Sequence, residues 1–587
     1  MTSESGTTQP ESIEFEFDGH RVHAESGQTV AGALHSAGEH IVSRSFKYHR
    51  PRGLLCMSGR CPNCICTVDG TPNVRICTQA AKPGMVVKSQ NAWPSVKFDL
   101  LRIFDKLHRF MPVGFYYKRM YKPRWMWPVW EKFIRRIAGL GKINREHGAD
   151  GIYDKQNLFT DVAVIGGGLA GLNAALAAAE AGVSVTLIDE QPELGGHLRH
   201  DPDLAESFNR TPQARASAAE SPTPSDNARA CGVRLNELID KVANHPVITV
   251  ISNAGVFGCY EGNYLGIQQG KRMIRLRAAQ VIVTTGCWER PLVFENNDLP
   301  GVILASGAQR LLHLDHCRFP GDAVVVTDNA QGYRVARQLK AAGSRIAAIV
   351  DVRDNPPDSA DGLLVYRGHT VVSASGSGHV SGVVIAPLAG HPRQSVNCQW
   401  LVQAVGFTPA NSLLYQNGCK LRYDERLDQA AVIQHAPGMH SAGAVNGLHD
   451  PRDAALDGQR AVKRRVRPLV PLRRPIRCEE EIRLSLRRRH RERHLRCDRR
   501  GVLQHRDVEA VLDGQHGAVS GQDVPVGGDC NLCSAQRAVD GRDRRDDRAA
   551  AGAAVAVGSA GGQGVAFLAG PPHADARLAR AGRGDDG

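Results

Sequence analysis

Cys56, Cys61, Cys64 and Cys77 follow the spacing C-x4-C-x2-C-x12-C, and the first three sit in a loop beside Gly53 and Gly59. Four thiolates gathered at one point can hold two irons, and glycine backbone lets amide groups approach the sulfurs. One tight loop plus one thiolate returning from a hairpin supplies that arrangement. Zinc also takes four cysteines, but structural zinc sites usually arrive as two C-x2-4-C knuckles, and Cys77 has no such mate. The spacing therefore favours a [2Fe–2S] cluster over zinc and over merely packed thiols. Cys66 is a fifth thiol two residues past Cys64, read here as a small packed residue.

A second constellation begins at DVAVIGGGLAGLNAALAAAEAGVSVTLIDE, where Gly166-x-Gly168-x-x-Gly171 directly follows an apolar run and Asp189 ends the next one. Gly166 permits a tight turn, Gly168 lets the backbone approach a pyrophosphate, and Gly171 allows close helix–strand packing. The helix N-terminus then faces the phosphates. Asp189 can accept hydrogen bonds from a ribose hydroxyl. Downstream, Gly195-Gly196 and Thr284-Thr285-Gly286 match the punctuation of two-dinucleotide flavoproteins, so Gly196 and Gly286 join the candidate binding residues. FAD and NAD both fit. Another βαβ unit is predicted over 322–351, but Asp328 to Ala330 stand where glycines would be, which favours a structural role. Cys287 and Trp288 follow the Thr-Thr-Gly turn and read as packing residues. No acid or base for substrate deprotonation stands out in these motifs.

The elements that must position these residues can be read from periodicity. Residues 12–30 alternate around Asp18-Gly19 as a hairpin, VAGALHSAG reads as a helix, and a second hairpin turns at Asp69-Gly70. A small sheet with one helix accounts for 12–95. Residues 96–155 form an aromatic-rich connector: from Trp93 to Trp130 the chain holds four of its six Trp. Such a stretch can stack single-stranded nucleic acid, but aromatics and Arg also mark packing against neighbouring domains or a partner subunit, which is the reading preferred here. Residues 156–462 carry the FAD/NAD(P)-binding domain, with a nested βαβ unit at 322–390. The stretch 200–228, rich in Pro, Ser, Ala and Asp, reads as a surface loop or disordered insert. The fold class is α/β: a small sheet with one helix, followed by βαβ units of the Rossmann type.

The bulk numbers narrow the function classes. At 587 residues, about three to four domains are expected. No run of eighteen strongly apolar residues occurs and MTSESGTTQP is no secretory signal, so no membrane span and a cytoplasmic location are expected. The formal charge of +13 would suggest nucleic acid. Its distribution argues otherwise: the stretch after Lys463 contributes 24 Arg against 17 acidic residues, and the rest carries only +6.

The phrases SRSFKYHRPRG, WPSVKFDLLRIFDKLHRFMPVGFYYK, FGCYEGNYLG, ERPLVFENNDLPGVILASGAQ and GMHSAGAVNGLHDPRDAALDGQRA add a resemblance. Across roughly residues 12 to 462 the chain resembles the alpha subunits of heterotetrameric sarcosine oxidase and of related amine, opine and hydroxyproline dehydrogenases. The resemblance implies a β-grasp ferredoxin-like domain followed by a disulfide-reductase-like FAD/NAD-binding Rossmann fold, and a sarcosine oxidase beta-like partner that oxidises a small amine or amino acid on its own flavin. It also implies NAD or FAD on Gly166, Gly168, Gly171 and Asp189, and an FMN site shared between subunits. Well-known sarcosine oxidases lack the complete cysteine quartet, whereas this chain keeps it. That departure favours relatives that pass electrons through a cluster over direct oxygen reduction. The alternatives are a self-sufficient NAD(P)H-dependent flavin/iron–sulfur reductase and a truncated inactive product.

Residues 463–587 break the pattern. The text becomes PLVPLRRPIRCEEEIRLSLRRRH, without Lys after 463 and with Phe567 as its one aromatic residue. Such a chain cannot easily assemble a core. A basic nucleic-acid arm and a zinc site from Cys530, Cys533, Cys478 and Cys497 are both poorer readings than translation of a GC-rich gene in the wrong frame.

Overall fold

The structure is a computed structural model that describes residues 12–111, 114, 122–137, 153–209, 235–356 and 360–463. The described residues all belong to one compact unit. The Arg-rich tail, with its wrong-frame, nucleic-acid and zinc readings, lies outside the described residues.

Alternation dictates the first hairpin. Ser12–Phe17 pairs antiparallel with His20–Glu25, burying Phe15, Phe17, Val22 and Ala24 on one face. Both turn residues have positive φ, Asp18 at 47° and Gly19 at 86°, the type I′ geometry whose twist matches the strands. Asp69 and Gly70 repeat it between Ile65–Val68 and Thr71–Arg75. With Val86–Ser89 these strands complete a five-stranded sheet. The helix α1, Val30–Ser36, lies in the same core through Val30, Ala31, Ala33 and Leu34, and Thr29 caps its N-terminus.

This small domain shares its core with the second βαβ unit, because Phe15, Leu34 and Ile76 belong to one cluster with Phe319, Val325 and Trp400. Each such buried side chain contributes about 1.5–3 kcal/mol. Asp315 pins the junction, accepting from Thr29 N–H at 2.7 Å and from the Thr29 hydroxyl at 3.1 Å.

The larger domain is built on parallel strands. Ile248–Ile251, Val185–Ile188, Asp154–Ile165, Arg272–Val283 and Met439–Ser441 pair in parallel, and two antiparallel strands, Tyr264–Gln269 and Ala254–Tyr260, extend one edge. The helix α2, Leu169–Glu180, crosses between Asp154–Ile165 and Val185–Ile188. The second βαβ unit runs Asp322–Thr327, Ala330–Ala341 and Arg345–Asp351, as the periodicity predicts.

One expectation changes. Part of the stretch 200–228 is helix, not loop: Pro202–Asn209 follows a buried Asp201, whose carboxylate accepts from Arg334 Nε at 3.0 Å and Gln338 Nε2 at 3.1 Å. Ala205 is buried there, with Leu204 and Phe208 packed at helical spacing. Composition hid this because the partners lie more than a hundred residues away. Residues 210–234 lie outside the described residues. Trp93 and, in the connector, Phe98, Phe110 and Trp125 are exposed on this chain, whereas Phe104, Trp127 and Trp130 are half-buried. Among the described residues no helix is long and apolar enough to cross a membrane.

Candidate cofactor site

The tertiary fold brings the four spaced cysteines into one knot. The Cys56 sulfur lies within hydrogen-bond reach of Cys61 and Cys77, and Cys77 also reaches Cys64. Thiol hydrogen bonds from Cys61 and Cys77 hold Cys56 well below the ordinary thiol range, while the same contacts and burial push Cys61 and Cys77 well above it. Backbone donors aim at the sulfurs: Gly59 N–H reaches Cys77 Sγ at 3.3 Å, and Ser58 and Asn63 serve Cys56 and Cys61. Convergent thiols with amide donors are what a cysteine-ligated cluster requires. Cys66 stands apart, fully buried, its thiol donating to Val42 O at 3.6 Å.

The glycine loop forms a cradle of backbone. Gly166 has φ +110°, and a Cβ there would come within 2.4 Å of Thr284 O. A Cβ on Gly171 would lie 1.9 Å from Gly166 O, so only glycine lets α2 start against the strand. Gly168 caps α2 and faces the Cα of Gly196 across the loop. Gly286 turns with φ +71° in open space. Asp189 differs from a free ribose acceptor: its carboxylate already accepts from Gly167 N–H and, at 2.7 Å, from Gln191 N–H. Burial raises its pKa against those bonds. Each oxygen keeps a second lone pair for a hydroxyl.

One cavity of about 360 Å3 joins the two constellations. Gly166, Gly168, Asp189, Gly196 and Gly286 line it, and so do Cys56, Ser58 and Arg60 from the cysteine loop. The loop is carried there by Leu304 N–H, which donates to Leu55 O at 3.0 Å just before the helix α3, Ala305–His313. Arg60 pairs with Glu190 and lies over the Trp288 ring at 4.7 Å.

The cavity wall also holds residues that sequence reading missed. Glu289 Oε2 accepts from Ser306 N–H at 2.9 Å and from its hydroxyl at 2.5 Å, while Oε1 is buried without a hydrogen bond. Burial, opposed by Ser306, lifts this carboxyl to about 7. Trp288 Nε1, Arg310 Nε and Gln331 Oε1 are likewise buried and unbonded. Unpaired donors and acceptors lining one cavity are the mark of a polar, ring-bearing ligand. Cys287 also lines it, its sulfur 3.8 Å from His449 Nδ1, and burial holds its thiol up at about 12. Cys287 and Trp288 thus face the cavity, against the packing role expected of them. Position inside the cysteine loop was the available signal for Arg60. Nothing local marks Arg310 or Gln331.

Comparison with known proteins agrees with this architecture. Residues 10–92 match the 2Fe-2S iron-sulfur cluster binding domain family, and residues 160–450 match the pyridine nucleotide-disulphide oxidoreductase family. The sarcosine oxidase alpha subunit of Rhizobium meliloti (strain 1021) is 35% identical over 436 residues, 70% of this chain and 41% of its own length. Its namesake from Corynebacterium sp. (strain U-96) is 27% identical over 484 residues, 78% of this chain and 44% of its own. An opine oxidase subunit of Agrobacterium tumefaciens (strain Ach5) is 26% identical over 345 residues, 52% of this chain and 64% of its own. The chain spans less than half the length of those two sarcosine oxidase subunits. The crystal structure of L-proline dehydrogenase from P. horikoshii superposes with a TM-score of 0.53 at 19% identity, covering 78% of this chain and 75% of that one, a likeness of fold.

Fold and site together define an oxidoreductase in which a 2Fe–2S ferredoxin-like domain adjoins a dinucleotide-binding Rossmann fold. Within that class the chain is homologous to the sarcosine oxidase alpha subunits over the 70–78% of its length that matches them.

Proposed function

We propose that this chain is the electron-carrying subunit of an enzyme that oxidises a small secondary amine or amino acid. A beta-like partner with its own flavin removes electrons from the amine. This chain receives them through a dinucleotide or flavin in its cavity and a [2Fe–2S] centre on Cys56, Cys61, Cys64 and Cys77, with an FMN site shared across the subunit boundary. The observation that carries the reading is that Cys56, Ser58 and Arg60 form part of the wall of the cavity that Gly166, Gly168 and Asp189 also line. When bound, a dinucleotide of this class exchanges electron pairs and a cluster exchanges single electrons.

The chain's own groups have distinct tasks. Gly166 and Gly168 open a backbone cradle at the N-terminus of α2, where unpaired amides and the helix dipole favour a pyrophosphate. Asp189 fixes the loop through Gly167 N–H and offers its remaining lone pairs to ribose hydroxyls. Gly59, Ser58 and Asn63 donate to sulfur and so favour the thiolates. Arg60 ties the cysteine loop to Glu190 beside the cradle. The exposed connector side chains Trp93, Phe98 and Trp125 support a partner surface, being the residue types that interfaces favour.

The test is copurification with the presumed partner, followed by anaerobic addition of sarcosine or proline. Bleaching of flavin and cluster absorbance only in the assembled protein is the expected result. Full reduction of the isolated chain by NADH, with no response to any secondary amine in the assembly, would overturn it.

A further inference from the structure

Arg310 stands in α3, the helix whose start carries the cysteine loop: a Cβ on Gly307 would lie 2.6 Å from Leu55 O and 3.3 Å from the Cys56 carbonyl carbon. Its guanidinium belongs to the wall of the shared cavity. Burial lowers its hold on the proton, and Cys56, Cys77 and Glu190 oppose that from their positions around it. Among the described residues no carboxylate pairs with it, and its Nε is buried without a hydrogen bond. The other cations near the cysteine loop are neutralised, Arg60 by Glu190 and Arg52 by Asp298.

An arginine in a protein keeps its proton. A buried one without a carboxylate is costly unless another anion faces it. Of the groups that favour its charge, Cys56 comes first and Cys77 next, ahead of the Glu190 carboxylate, so two sulfurs of the four-cysteine set face it. Each electron added to a four-thiolate centre makes it one charge more negative, so a fixed cation in a wall of low dielectric favours the reduced form more than the oxidised one.

We propose that Arg310 is the positioning charge that raises the reduction potential of the centre on Cys56, Cys61, Cys64 and Cys77, and so sets the direction of electron movement from the cavity to the centre. The inference rests on the function proposed above. Arg310 touches the reaction only through its field.

The experiment is an anaerobic redox titration of the full chain after iron and sulfide reconstitution, followed by electron paramagnetic resonance, on wild type, R310K, R310Q and E190Q. With iron content unchanged, R310Q lowers the ratio of reduced to oxidised centre at a fixed potential at least tenfold, about 59 mV for a one-electron couple. R310K, which keeps the charge, stays within about threefold of wild type by the same argument. E190Q moves the ratio the opposite way, because it removes a negative charge near the sulfurs and frees Arg60 from its partner. An unchanged potential in R310Q overturns the proposal, as does an equal shift in R310K and R310Q. Loss of dinucleotide affinity in R310Q without a change in potential also overturns it, assigning Arg310 to the nucleotide instead. Where R310Q holds no iron, R310M, which keeps the length without the charge, is read by the same criterion. A wild-type chain that takes up no iron defeats the proposed function itself, whereas an immovable potential in loaded protein defeats this inference alone.

Discussion

Arg60, from the cysteine loop, pairs with Glu190, the residue directly after Asp189, and its guanidinium carbon stands 4.7 Å over the Trp288 ring. One side chain thus ties the cysteine loop to Glu190 and Trp288, both in the wall of the cavity. Its side chain is 34% exposed and that of Glu190 is 44% exposed, so the ion pair contributes no more than about 1 kcal/mol. The stacking on Trp288 adds about 0.5–1 kcal/mol. Arg60→Gln therefore lowers global stability by less than about 2 kcal/mol and leaves iron content intact, while weakening dinucleotide binding severalfold. Denaturant melts and a fluorescence titration check both halves; loss of iron with unchanged nucleotide affinity would contradict the bridge.

Serine at Cys56, Cys61, Cys64 or Cys77 abolishes iron binding, because each sulfur belongs to the same hydrogen-bonded knot. Cys66→Ser behaves differently. Its thiol donates to Val42 O, a bond that a hydroxyl can replace, so the variant keeps its iron and loses about 1–2 kcal/mol of stability. Iron and acid-labile sulfide assays on the five variants separate the cases, and iron loss in C66S would show that the knot extends to a fifth sulfur.

Gly171→Ala places a methyl group 1.9 Å from Gly166 O, which forces α2 away from the strand it follows. The expected cost is at least about 1–3 kcal/mol, with loss of retained dinucleotide. Gly182→Ala is the comparison: its φ of +79° strains an alanine by about 1–2 kcal/mol, but the space is open and the cradle untouched. Nucleotide released on acid precipitation reads the difference, and equal retention in both variants would remove the packing argument.

The Glu289 carboxyl, lifted by burial from 4.5 to about 7, makes folding depend on pH. Between those values the folded chain binds more protons than the unfolded one, so wild type loses stability as pH rises through that window. The slope from one such group is at most about 1.4 kcal/mol per pH unit. Glu289→Gln keeps an acceptor for Ser306 and lacks the proton, so its stability stays flatter. Urea melts of both proteins across the window test it; parallel curves would mean that the carboxyl titrates alike in both states.

The sequence by itself determined what is local. Alternating apolar residues around Asp18-Gly19 and Asp69-Gly70 specify hairpins because a pleated strand alternates faces and a type I′ turn needs positive φ at both turn positions. The glycine spacing around Gly166 specifies a strand–helix corner because no side chain fits there. The cysteine spacing identified four thiols, whose meeting the fold then realised. Tertiary structure alone decided that the two constellations share a cavity. It also decided that Asp201 holds a helix in place through Arg334 and Gln338, that Cys287 and Trp288 line that cavity, and that Glu289 Oε1 and Arg310 Nε lie buried without a hydrogen bond. Those facts depend on contacts between residues tens to hundreds of positions apart. Burial and electrostatic pairing arise only when such segments pack, and no periodicity or spacing within a segment encodes which distant group will be its neighbour.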